Sequence, residues 1–450
     1  MLFSDANSMF VMHHLEDKVG VLFAIALFLS AGLLMSRVVK PLKLPAVTGY
    51  LVAGILVGPF VLGQIPALRD VITLKFIERF SIISDVALGF IAFAIGNEFR
   101  ISQLKAIGKQ ATIIGIAQAV VTTLLVDAIL VGLYFLGVLS LPCALVLGAI
   151  ASATAPAATL MVVKQYKAKG RVTSLLLPIV AIDDAVGLVL FAVSFGIAKT
   201  LLPGGSFNLV SVLVEPTLEI ILSLLLGLVM GIIFSYCEKC FKSNSRRQAL
   251  AVTAVILTVA LTKLKFEVMG VHIGFSSLLT CMMLGTTFCN ICDFSEDLME
   301  KTDKWTTPIY ILFFVLSGAE LDFSVFTGSV VLVGIVYIIT RSIGKILGAG
   351  VSAAASKCEA SVKKYLGLTL LPQAGVALGM AAIVSSDPNF AEEGKIIRNI
   401  VLFGVLIYEL FGPLVTKIAL TKAGDIQIKS EAVKKSEALE KKTAKKNQSK

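Results

Sequence analysis

Two adjacent acids, Asp183 and Asp184, stand inside the apolar run Ala181, Ile182, Asp183, Asp184, Ala185, Val186, Gly187. Insertion scales charge about 2.5 to 3.5 kcal/mol for each acid at the centre of a membrane helix, so a pair there points to function rather than structure. A buried carboxyl can hold a proton, and once ionised its oxygens are hard ligands for a small dehydrated cation. Proton and cation then exclude each other at one site. If only occupied forms cross between inward-facing and outward-facing states, that competition becomes coupled exchange. Helix neighbours point about 100 degrees apart, so the two acids are expected to do different jobs.

A buried negative pair calls for a positive partner. Arg341 and Lys345 lie four residues apart, hence on one helix face, in an apolar stretch with Ile338, Ile346 and Leu347. Both are candidate ion-pair partners; lysine can exchange its proton when buried, whereas arginine keeps its charge and serves as a strut. Two apolar runs also contain helix-breaking chemistry. One holds Ala151, Ser152, Ala153, Thr154, Ala155 and Pro156; the other holds Leu371, Pro372, Gln373, Ala374 and Gly375. Proline removes a backbone donor and frees carbonyls that lipid cannot satisfy, so such breaks must face protein or a wet cavity.

The elements that position these residues follow from composition. Of the 450 residues, 56% are hydrophobic and 16% charged, and mean hydropathy is +0.89, against roughly 25% charged residues in soluble domains. Windows of about 20 apolar residues give about thirteen spans. They cover 20–39, 45–63, 81–99, 111–138, 141–163, 172–198, 210–237, 250–263, 269–289, 305–321, 329–353, 365–384 and 400–420. The expected fold is thus an all-α polytopic membrane protein. Its breaks fall in the fifth and twelfth spans, and an odd offset reverses direction through the membrane. Inverted repeats are expected, spans one to six pairing with eight to thirteen, with the two broken helices crossing near the midplane and their dipoles aimed at a shared site.

Loops after odd-numbered spans hold about nineteen Lys and Arg against about eight after even-numbered ones, which puts the amino terminus outside and the carboxyl terminus in the cytoplasm. Residues 1–19 are an external segment, 20–421 the membrane domain, and 422–450 a Lys-rich cytoplasmic tail expected to be disordered. Much of the net charge of +10 sits in that tail, which suits anionic lipid rather than nucleic acid. The start lacks the pattern of a removable signal peptide. Seven cysteines make no disulfide scaffold, and the pairs Cys237/Cys240 and Cys289/Cys292 read as apolar thiols, so no metal or cofactor is expected. Asp85, Glu98, Asp127 and Glu409 read as caps, snorkelling groups or local pairs, and His272 as a packed histidine.

The chain resembles the monovalent cation:proton antiporter superfamily, in its bacterial sodium/proton and potassium/proton branch. The similar stretches are Leu44 to Gly63, Ala94 to Glu98, Ser152 to Gly170, Ala181 to Gly187, Pro308 to Asp322, Lys345 to Ala349 and Pro372 to Gly379. The Asp-Asp pair resembles that of the electrogenic subtype. The resemblance implies that Asp184 is the principal cation and proton carboxylate and that Asp183 pairs with Lys345 until cation binds. Thr154 and Ser152 would line the site, and Arg341, which opens an Arg-x-x-Gly pattern, remains a second candidate partner. A homodimer is implied, in which a six-helix core moves like an elevator against a dimerisation domain. Ala155 departs from relatives with an acid before the proline. No strand followed by GxGxxG marks a nucleotide-binding regulatory domain.

The reading is of a transporter rather than an enzyme, with sodium favoured and potassium or lithium possible. Two rivals remain: a cation channel, which needs no obligatory proton exchange, and a sodium-driven organic solute symporter on a similar fold.

Overall fold

The computed structural model describes residues 17–426 except 43, 66–71, 74–76, 78, 98, 156–158, 160–161, 164–165, 203–208, 265, 269–270, 293, 323 and 325–327. Pro156, Glu98, the external segment to residue 16 and the tail from residue 427 therefore lie outside the described residues.

Among the described residues fourteen α-helices follow one another. The first half holds α1 (Asp17–Val39), α2 (Ala46–Val57), α3 (Ser81–Asn97), α4 (Ile101–Phe135), α5 (Leu141–Ile150) and α6 (Arg171–Thr200). Then come α7 (Leu209–Lys239), α8 (Asn244–Thr262), α9 (Ser277–Ile291) and α10 (Ser295–Ala319). The described helices close with α11 (Gly328–Ala355), α12 (Ala360–Thr369), α13 (Gly375–Ser386) and α14 (Ala391–Lys422). Among the described residues seven stretches are long and apolar enough to cross a membrane by length and composition. Apolar side chains face outward in stripes, as on α11 where Ile335, Ile339, Ile343 and Leu347 are exposed while Tyr337, Arg341, Lys345 and Gly348 are buried. A lipid solvent accounts for that inversion, since burial there gains nothing from hiding apolar surface.

Packing repeats between the halves. Helix α2 lies on α10 and α3 on α9, while α4 packs on α5 and α6 much as α11 packs on α12 and α14. Helices α4 and α11 then meet each other. Small residues set the closest contacts: a Cβ at Gly54 would overlap the Val315 carbonyl oxygen, and one at Gly318 that of Leu51. Across the other pair, a Cβ at Gly96 would overlap the Met282 carbonyl oxygen and one at Gly285 that of Phe93. Glycine allows these backbones to touch.

Three boundaries differ from the sequence reading. The span drawn from residue 269 begins instead at Ser277, after a short antiparallel pair, Phe266–Val268 with Val271–Ile273. Helix α10 starts at Ser295, ten residues before the apolar window, because Glu296 and Asp297 sit in its first turn and Asp297–Lys301 and Glu300–Lys304 pair at i,i+4. Within α4 the helical path is interrupted at Gly108, whose φ of 79° suits glycine.

Candidate functional site

Helix α5 stops at Ile150 and α12 at Thr369, and neither 153–155 nor 371–374 is helical. The two interruptions touch directly: the Ala155 amide donates to the Pro372 carbonyl at 2.8 Å. Gln373 reaches from the second break to donate to the Ile150 carbonyl at 3.0 Å, and the Thr154 hydroxyl lies 3.4 Å from the Leu370 carbonyl. Two helix C-terminal ends thus converge, each with unsatisfied carbonyls and a partial negative charge.

Arg341 meets those carbonyls. Its Nε donates to Ala151 O at 2.9 Å, Nη2 to Ala153 O at 2.6 Å and Nη1 to Leu371 O at 2.7 Å. The hydrogen bonds found for this guanidinium all go to backbone oxygens freed by the breaks, the arrangement of a strut. Its planar fork suits several fixed acceptors better than an ammonium would. The ring of Tyr408 lies 4.4 Å from the guanidinium carbon, held there by a 2.6 Å bond from its hydroxyl to the Ile338 carbonyl.

One turn along α11, Lys345 is fully buried. Its Nζ lies 2.8 Å from Asp183 Oδ2, 2.9 Å from Thr154 Oγ1 and 3.0 Å from Gln118 Oε1, and it also donates to the Ser152 carbonyl. Asp183 accepts further hydrogen bonds from the Thr154 hydroxyl and the Gln118 amide. Asp184 is buried beside it, at 2% exposure. Helix α6 reaches this depth because Gly187 clears the first break, where a Cβ would sit 2.8 Å from Ser152 Oγ. Ser152 itself turns its hydroxyl to the Ala149 carbonyl, so it faces the site with its backbone oxygen. Pro372 packs on Gly412 of α14, and Gly375 opens α13.

Gln118 was missed in the sequence. It bridges Asp183 and Lys345, and it gets there because a Cβ at Gly348 would come within 3.0 Å of its Cα, with Gly344 equally close to Thr122. A Gly-x-x-x-Gly spacing around Lys345 is the signal that α11 presses on another helix here. A cavity of about 410 Å³ opens nearby between α3, α6, α7 and α13; Phe191, Phe195 and Lys199 on its wall continue the helix face of Asp184. Among the described residues no group of three or more His, Cys, Asp or Glu could hold a metal ion.

Residues 23–422 match the sodium/hydrogen exchanger, transmembrane family. The chain belongs to that family. A structure of the sodium proton antiporter MjNhaP1 from Methanocaldococcus jannaschii at pH 8 superposes with a TM-score of 0.69, covering 90% of this chain and 99% of that one at 20% identity. An electron-microscopy structure of the same protein gives 0.65 over 91% and 99%, at 19% identity. These likenesses establish a shared fold. Among curated proteins of Arabidopsis thaliana, K(+) efflux antiporter 5 is 28% identical over 143 residues, and Cation/H(+) antiporter 19 is 23% identical over 328. The chain spans only 23% and 39% of the length of those two relatives. The protein is thus a multi-pass helical member of an exchanger family.

Proposed function

We propose that this chain exchanges a monovalent cation for protons across the cell membrane, with Asp184 as the carrier carboxylate and Asp183 as its switchable neighbour. The observation that supports this most is the fully buried Asp183–Lys345 pair at 2.8 Å, set where two broken helices meet and one residue from a second buried acid. A buried ion pair is a weak source of stability but an effective switch, because either partner can be neutralised by a proton or replaced by an ion. A cation at the acids competes with the Lys345 ammonium for Asp183 oxygens and with protons for Asp184. Thr154 and the Ser152 carbonyl then supply neutral oxygens to the ion.

Sodium comes first because the family and the solved relative are named for it, with potassium next on the name of one plant relative and lithium third. The carriers α4 to α6 and α11 to α14 move together, elevator fashion, against α1 to α3 and α8 to α10, in a homodimer with external amino and cytoplasmic carboxyl termini. The membrane domain comprises residues 20–421, and the Lys-rich segment 422–450 lies on the cytoplasmic lipid face.

The test is proton flux in proteoliposomes under imposed Na+, K+ and Li+ gradients, for wild type and Asp184→Asn. Antiport in the wild type and none in the variant is expected. Cation flux without opposing proton movement would select a channel, and organic solute uptake at constant internal pH a symporter.

A further inference from the structure

Of the acids in α4 and α14 that play no part in the exchange chemistry above, Asp127 is half-buried and Glu409 is buried. Glu409, in α14, is 1% exposed, and its Oε2 has no hydrogen-bond partner among the described residues. The polar group facing it is the hydroxyl of Thr48 on α2, equally buried, which approaches the carboxyl as a hydrogen-bonding neighbour but falls short of good geometry.

Its neighbours on α14 tie it to the breaks. Tyr408 stacks on Arg341, the clamp of both breaks, and Gly412, one turn on, touches the Pro372 ring. Thr48 belongs to the other side: α2 packs on α1 and α10. The Glu409–Thr48 meeting therefore bridges the helices around the breaks and the glycine-locked pairs.

Among the described residues, no charged side chain pairs with this carboxyl. Helix α14 packs against α2, α5, α11, α12, α13 and the turn Pro388–Phe390. Helices α2, α5 and α13 contain no titratable side chain except Tyr50 and Cys143. On α11, Arg341 is committed to carbonyls, Lys345 to Asp183 and Tyr337 to Gln373. On α12, Lys363 and Lys364 are exposed, with Tyr365 beside them near the start of the helix. Asp387, before the turn, pairs with Lys199, and Lys417 lies over the Tyr166 ring. An isolated buried carboxylate costs several kcal/mol, whereas the neutral acid can both donate and accept.

We propose that Glu409 is a proton-binding site separate from the aspartate pair, neutral while it faces Thr48 and ionising when movement of α14 along α2 brings it to water. Its proton stabilises the conformation described here and so sets the pH at which the carrier moves. That effect on transport rests on the exchange reading; the proton itself does not.

Two measurements on the full chain test it. Infrared spectra of wild type and Glu409→Gln in lipid, at a pH where surface carboxylates are ionised, should differ by one neutral-acid carbonyl band. Absence of that band overturns the proposal, whatever the protein transports. In proteoliposomes, Glu409→Gln should exchange at saturating cation with its pH profile displaced by about one unit or more, and Glu409→Asp should restore a titrating profile. Superimposable profiles for wild type and Glu409→Gln would overturn the assigned role in transport.

Discussion

The glycine-locked pairs and the crossing of the breaks solve the same problem, close approach of helices in lipid, by opposite means. Where α2 meets α10 and α3 meets α9, backbone lies on backbone and no side chain can intervene. At the crossing, the backbone is opened and its carbonyls are held by Arg341, Lys345 and Gln373. The first contact has one arrangement. The second is made of donors that can change acceptors, which is what a site that must release its ion requires.

The largest expected effect follows from the clamp. Arg341→Lys keeps the charge but replaces a planar fork by a single nitrogen that cannot meet all three carbonyls at once, leaving at least one buried acceptor at about 1 to 3 kcal/mol. Melting of the purified protein should fall steeply and transport should vanish; a wild-type melting profile would refute the clamp. Next, Gly54→Leu should cost about 3 kcal/mol or more by overpacking against a backbone that cannot yield. Gly318→Leu should match it, since the contact is reciprocal. In both, cation affinity per folded molecule should stay at the wild-type value, and altered affinity would mean the locked pairs also shape the site.

Thr154→Val sharpens the contrast from the other side. It removes the hydroxyl shared by Asp183 and Lys345, so the cation KM should rise about tenfold, or about 1.4 kcal/mol, with little change in melting. The smallest effect belongs to Tyr408→Phe, which loses the hydroxyl bond to Ile338 but keeps the ring on Arg341. About 1 kcal/mol of stability is at stake there. A loss as large as that of Arg341→Lys would mean the hydroxyl, not the ring, positions the guanidinium.

Much of this was legible in the sequence because charge in an apolar run is conspicuous. The aspartate pair, Lys345 and both interruptions stood out by composition. Gln118 did not, since one neutral amide in an apolar helix reads as a side chain bonded to its own backbone until a second helix is known to press on it. Arg341 was visible as a candidate partner or strut, but its acceptors were not; counting the carbonyls each break frees would have directed a guanidinium to them. Helix α10 was drawn short because a hydropathy window sees the charges of Glu296 to Lys304 and not their i,i+4 pairing. The start of α9 was drawn early because Gly270 and Gly274 punctuate an apolar run that hydropathy alone cannot tell from a helix.

Proton release on cation binding tests the competition most directly. Purified protein in a weakly buffered detergent solution, titrated with Na+ and then with K+ and Li+, should release protons as the ion binds. Asp184→Asn should release none. Binding heat from the wild type with no change in pH would contradict a shared site for proton and cation.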